Sequence, residues 1–181
     1  MSVVVQRDSA RFVTVGDGWV GRSCFSYGAH YDPANVSFGR MVACNAFVLE
    51  PGSGFGPHRH AGVDVVTTVL EGTLTHVEGS HREQRGPGSY VFATGSGVDH
   101  DERNDADEPV RFVQAWFLPG TTDPRPVVHE RGPTTLGPGS FVLVVDGEAD
   151  LGGTELGPGD SARVDEPAVL TGEATALVWA C

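Results

Sequence analysis

Short apolar runs separated by glycine- and proline-rich turns dominate the pattern along this chain. Runs rich in Val, Phe, Thr and Leu occupy 40–49, 63–70, 90–93, 110–118, 141–146, 162–164 and 175–180. Between them PGSGFGP at 51–57, LEG at 70–72, GPG at 86–88, GSG at 95–97, LPG at 118–120 and GPG at 157–159 read as turns. Apolar positions hold a helical period nowhere for more than two or three turns. Many short strands with frequent turn signals predict an all-β sandwich or barrel.

The pattern also repeats. TVLEGTLTHVEGSHREQRGPGSYVF at 68–92 returns, shortened, as LVVDGEADLGGTELGPGDSARV at 143–164. Each copy runs as a strand ending in acidic-Gly, a second strand, a hairpin, then GPG and another strand. Such self-similarity predicts two copies of one β module. The proline-rich stretch 119–139 is the natural connector, giving an expected domain over 1–120 and a shorter one over 121–181. The second copy has no His-x-His and no histidine after His129. It is expected to be degenerate, metal-free and structural.

Candidate chemistry is concentrated in two short segments of the first copy. In a strand alternate side chains share a face. His58 and His60 therefore project together and Arg59 points away; His100 and Glu102 share a face that Asp101 does not. Two such pairs facing each other would surround one point with three imidazoles and a carboxylate. That donor set suits Fe(II), Mn(II), Ni(II), Cu(II) or Zn(II), and leaves open positions on a six-coordinate ion. Gln114 and Trp116 share a face of the 110–118 run, with Phe112 completing the alternation, and are candidates to line a pocket. His76 is a candidate pocket residue, fifth ligand or proton relay, read against a plain strand residue. His81 sits in a polar hairpin and is expected in solvent, and Asp99 and Asp101 are expected on the outer face.

The order G-x5-HxH-x3-D-x7-G, from Gly52 through His58, His60 and Asp64 to Gly72, resembles the first cupin motif. GSGVDHDERN at 95–104 resembles the second. More narrowly the chain resembles the pirin family and its bacterial quercetinase-like members. FSYGAHYDPANVSFG at 25–39 is similar to that family's aromatic-rich segment, HRHAGVDVVTTVLEG at 58–72 to its His-Pro-His-Arg-Gly-x-Glu signature. GSGVDHDE is similar to its Gly-x-Gly-x-x-His-Ser-Glu, and FVQAWFLPG at 112–120 to its Gln-x-Trp strand. The likeness is continuous over about residues 16 to 120. It implies an all-β double cupin, two β-barrel or jelly-roll domains, with the metal on His58, His60, His100 and Glu102. Family habit points to Fe(II), whereas intrinsic affinity alone favours copper. Arg59, Ala61 and Asp64 depart from the family pattern at positions that are not ligands. The segment 78–85 and the C-terminal half are shorter than usual.

Three functions follow as expectations. The first is a metal-dependent, quercetinase-like dioxygenase acting on a small aromatic or enolic substrate, with Glu102 as general base. The second is metal-assisted cyclisation or isomerisation of an enolic or polyketide-like compound. The third is a non-enzymatic metal- or redox-sensing role with a protein partner.

Charge and composition narrow these further. Twelve basic residues against twenty-four acidic ones give a formal net charge of −12, which disfavours nucleic acid as a partner. No stretch approaches the roughly 20 continuous apolar residues of a spanning helix. MSVVVQRDSARF has neither the basic start nor the apolar core of a secretory signal. Cys24, Cys44 and Cys181 read as isolated reduced thiols, and the expected location is the cytoplasm. No phosphate loop, nucleophile elbow or CxxC occurs.

Overall fold

The computed structural model describes residues 3–181. β1 (Val3–Gln6) leads through a single 3-10 turn into β2 (Phe12–Gly16), β3 (Trp19–Ser23) and β4 (Met41–Leu49). Then come β5 (His58–His60), β6 (Asp64–Glu71), β7 (Leu74–Glu78), β8 (His81–Arg85), β9 (Gly88–Ala93), β10 (Val98–Arg103) and β11 (Val110–Phe117). The rest is β12 (Val127–His129), β13 (Thr134–Leu136), β14 (Ser140–Leu151), β15 (Thr154–Leu156), β16 (Ser161–Val164) and β17 (Ala168–Ala180). The all-β expectation holds. Every apolar run became a strand. β1, β2, β3, β5, β7, β8, β10, β12, β13 and β15 fall outside those runs; of these β1, β2, β5, β8 and β12 end their sheets, and Val13, Val15, Val127 and Val128 stay exposed. A strand with so little buried surface carries a weak apolar signal. Among the described residues no helix is long and apolar enough to cross a membrane.

The chain divides into two compact units. The unit Phe12–Thr121 holds a six-stranded antiparallel sheet, ordered β2-β3-β4-β11-β6-β9, and a four-stranded one, ordered β5-β10-β7-β8. Its core packs Phe47, Leu49, Val69, Leu74, Val110 and Phe112, with Trp19, Phe55 and Tyr90 against them. Phe47 and Phe112 are direct cross-strand neighbours with ring centroids 5.4 Å apart, a pairing that adds to area burial.

The other unit joins Thr122–Cys181 to the N-terminal segment up to Arg11. Its sheet runs β1-β16-β14-β17-β12, with β13 on β17 and β15 on β14. Val3 lies across from Val164, Val3 and Val5 pack on the core, and Arg7 is 2.7 Å from Asp160. Residues from opposite ends of the chain thus share one sheet.

The internal repeat has a structural counterpart at its acidic-Gly step. Gly72 separates β6 from β7, and Gly147 lies in β14 just beyond the bulge after Val144. Both have left-handed backbones, at φ +77 and +72. A Cβ would meet the Pro109 carbonyl oxygen at 2.7 Å in one and the Glu173 carbonyl oxygen at 2.3 Å in the other. Only glycine meets both demands.

Candidate metal centre

β10 sits between β5 and β7, and its register sets the site. His100 lies directly across from His58 on one side, and Glu102 directly across from His76 on the other. The two-residue period turns His100 and Glu102 inward, to 2% and 0% exposure. Asp99, one residue out of phase, faces outward, where its carboxylate is 2.6 Å from Arg59. Asp101 is half-buried. His60 is buried and His58 half-buried.

Among the described residues two triads of donors form, His58–His60–His100 and His76–His100–Glu102, each with its donor atoms within 4.8 Å of one another. They share His100. All four residues singled out by strand alternation therefore enter the cluster, but Glu102 groups with His76 rather than with His58 and His60. Ring centroids lie 4.5 Å apart for His58 and His100, and 4.9 Å apart for His60 and His100.

The six-stranded sheet closes the other side. Gln114 on β11 donates from Nε2 to Glu102 Oε2 at 2.8 Å, and Thr67 on β6 donates to Oε1 at 3.3 Å. Trp116 Nε1 donates to Gln114 Oε1 at 2.9 Å, fixing which way that amide faces. The Trp116 ring lies 4.6 Å from that of His60. His76 stacks on Phe92 at 4.2 Å and 9°. Asn45, directly across from Gln114, is fully buried, and neither amide atom is hydrogen-bonded among the described residues.

The donor chemistry fits a divalent cation. His58 Nδ1 must donate to the Gly56 carbonyl, 2.8 Å away, because a carbonyl only accepts; this leaves the Nε2 lone pair pointing 3.1 Å from His60 Nε2. Two nitrogens at about 2.1 Å from one ion stand about 3.0 Å apart at a right angle. Among the described residues neither ring nitrogen of His100 or of His76 has a hydrogen-bond partner. Burial, reinforced by the neighbouring imidazoles, lowers the His60 pKa to about 4 and that of His100 to about 3. Burial, and then Arg85, lowers that of His76. The lone pairs are thus not protonated at neutral pH. Burial also raises the Glu102 pKa, outweighing its hydrogen bonds from Gln114 and Thr67. Neutral imidazoles around a carboxylate reluctant to stand alone are what a cation relieves.

His81 is exposed, 3.8 Å from Glu83, and takes no part. Gln114 and Trp116 reach the cluster as holders of Glu102 and His60. Thr67 and Asn45 were not singled out from sequence: their positions depend on which strands become neighbours, and no local spacing records that.

The pirin family's sequence profile matches residues 6–117. A Mycobacterium tuberculosis protein, provisionally named for quercetin 2,3-dioxygenase, is 37% identical over 129 residues, covering 67% of this chain and 51% of that one. The Escherichia coli protein named quercetin 2,3-dioxygenase is 32% identical over 118 residues, covering 63% and 51%. The chain thus spans about half the length of these relatives. The crystal structure of the bacterial pirin YhhW from Escherichia coli in complex with nickel(II) superposes with a TM-score of 0.86, at 19% identity, covering 98% of this chain and 97% of that one. This likeness shows the double-cupin fold.

Proposed function

The chain belongs to the pirin family, and on that premise we propose that its Phe12–Thr121 unit is a metal-dependent dioxygenase of the quercetin 2,3-dioxygenase type, taking a small aromatic or enolic substrate. His58, His60, His100 and Glu102 would hold the ion. The observation that carries this reading is the meeting of two donor triads, His58–His60–His100 and His76–His100–Glu102, at His100, whose ring nitrogens have no hydrogen-bond partner among the described residues. When bound, the ion supplies Lewis-acid polarisation and positions at which a substrate oxygen and O₂ can meet.

The protein groups have separable parts in this scheme. Glu102, at 0% exposure, has its two oxygens engaged by Thr67 and Gln114, so its orientation is fixed. It is the one carboxylate of the cluster, so it is the group placed to accept the hydroxyl proton of an enol or phenol. The proton passes from the substrate O–H to a Glu102 oxygen, leaving the substrate as the oxyanion. Trp116 and Phe92 flank His60 and His76. They limit the water that would intercept a reactive intermediate.

The names of the relatives support the same class. The test is oxygen consumption by protein loaded in turn with Mn, Fe, Co, Ni, Cu and Zn and given flavonols. Uptake that requires both metal and flavonol is expected. Absence of uptake with every metal overturns the proposal, and turnover under strict anaerobiosis replaces it with a Lewis-acid isomerase or cyclase.

A further inference from the structure

The segment 24–40, between β3 and β4, is fastened at several points. Ser26 N donates to the Asn35 carbonyl at 2.8 Å, and Asn35 Nδ2 to the Cys24 carbonyl at 2.8 Å. Ser26 Oγ accepts from Asp32 N at 2.8 Å and donates to the Asp32 carbonyl at 2.9 Å. Tyr27 and His30 exchange backbone hydrogen bonds at 3.1 and 3.0 Å, closing a two-residue turn through Gly28 at φ +57. The His30 ring stacks on Phe12 at 5.2 Å. Little freedom is left to the backbone carrying Tyr27.

The Tyr27 ring meets Trp116 edge to face, with centroids 5.5 Å apart. Trp116 rests on His60 and donates to the amide that holds Glu102. One aromatic ring thus separates Tyr27 from the imidazole cluster. Burial, and then the charge of Glu102, raise the phenol pKa, so the group is a neutral O–H at physiological pH. Among the described residues its hydroxyl enters no side-chain hydrogen bond, and the residue is only half-buried. A donor on a rigid loop, one aromatic ring from the cluster and left unused by the protein, is available to a ligand.

We propose that Tyr27 is a specificity-determining residue, donating its hydroxyl proton in a hydrogen bond to the second oxygen of an aromatic substrate whose first oxygen is bound among His58, His60, His100 and Glu102. The inference rests on the proposed function. It deepens that reading by naming the residue that separates substrates with two neighbouring oxygen functions from those with one. A preplaced donor that a bound ligand covers discriminates against an analogue lacking its acceptor, because the donor is then left unpaired.

The test uses zinc-loaded protein without O₂ and two chromophoric probes, 4-nitrocatechol and 4-nitrophenol, followed by absorption. Wild type is expected to bind nitrocatechol more tightly. Tyr27→Phe should weaken nitrocatechol binding about tenfold or more, the loss of one hydrogen bond to a charged acceptor, and leave nitrophenol binding, zinc stoichiometry and melting temperature unchanged. Equal losses for both probes, no loss for either, or no nitrocatechol binding by wild type would overturn it. The readout is binding, so it fails independently of oxygen uptake, on which the dioxygenase reading stands.

Discussion

His76 stands directly opposite Glu102 across the β7–β10 ladder, with the two side chains at 3% and 0% exposure. The imidazole stacks on Phe92, yet neither of its nitrogens is hydrogen-bonded. Holding such a group in the interior costs about 1–3 kcal/mol when nothing satisfies it.

His76→Phe keeps the stack and removes the stranded nitrogens. Metal-free protein carrying it should be more stable, by about 1 kcal/mol, and should still bind a divalent cation, since His58, His60, His100 and Glu102 all remain. Urea unfolding in chelator and a metal titration measure the two effects. A destabilised metal-free variant would mean that His76 has a structural task instead.

Gln114 acts through Glu102 rather than on a ligand. Gln114→Leu removes the 2.8 Å hydrogen bond to Glu102 and strands Trp116 Nε1. Supporting residues of this kind are worth about 10–100-fold in metal affinity, and a drop of that order is expected from competition with a chromophoric chelator. An unchanged affinity would place Glu102 outside the ligand set.

Acid should destabilise the metal-free protein. The folded-state pKa values of His60, about 4, and His100, about 3, lie below the free value of 6.5. The unfolded chain therefore binds protons that the fold refuses, and stability falls as pH drops from 6.5 through 4 toward 3, by at most about 1.4 kcal/mol per pH unit per histidine. Glu102, raised from 4.5, opposes this above that pH because its folded form holds the extra proton. The histidine slope is thus steepest between about 4.5 and 4, where Glu102 no longer opposes it and neither folded imidazole is yet protonated. Denaturation midpoints from pH 7 to 4 should decline and flatten in the double variant His60→Gln, His100→Gln; a midpoint that rises on acidification contradicts the burial of these rings.

Removing the ion should lower the melting temperature, since a ligand at about 100 times its Kd adds about 2.7 kcal/mol to the native state. His58→Ala should abolish the gain seen on adding metal while leaving the chelated protein's melting point nearly unchanged, because His58 is half-buried. Calorimetry with and without chelator measures both.

Gly147→Ala should be costly and Gly153→Ala mild. Both glycines have positive φ, +72 and +92, but an added Cβ meets the Glu173 oxygen at 2.3 Å in the first and nothing within 4 Å in the second. The left-handed backbone costs about 1–2 kcal/mol in either case, and the clash adds to it only at Gly147. Equal midpoints in urea would sink this account.

Local spacing along the chain was enough to determine the strand-and-turn grammar, the repeated acidic-Gly step at Gly72 and Gly147, and two inward-facing pairs. The reason is that a strand's two-residue period and a glycine's left-handed φ are properties of neighbouring residues. His58 with His60, and His100 with Glu102, follow from that alone. Which strands lie side by side depends on hydrophobic burial and hydrogen-bond registers between residues far apart in the chain. Only the tertiary structure therefore set His76 opposite Glu102, brought Gln114 and Thr67 onto the carboxylate, aligned Tyr27 on Trp116 and paired Val3 with Val164.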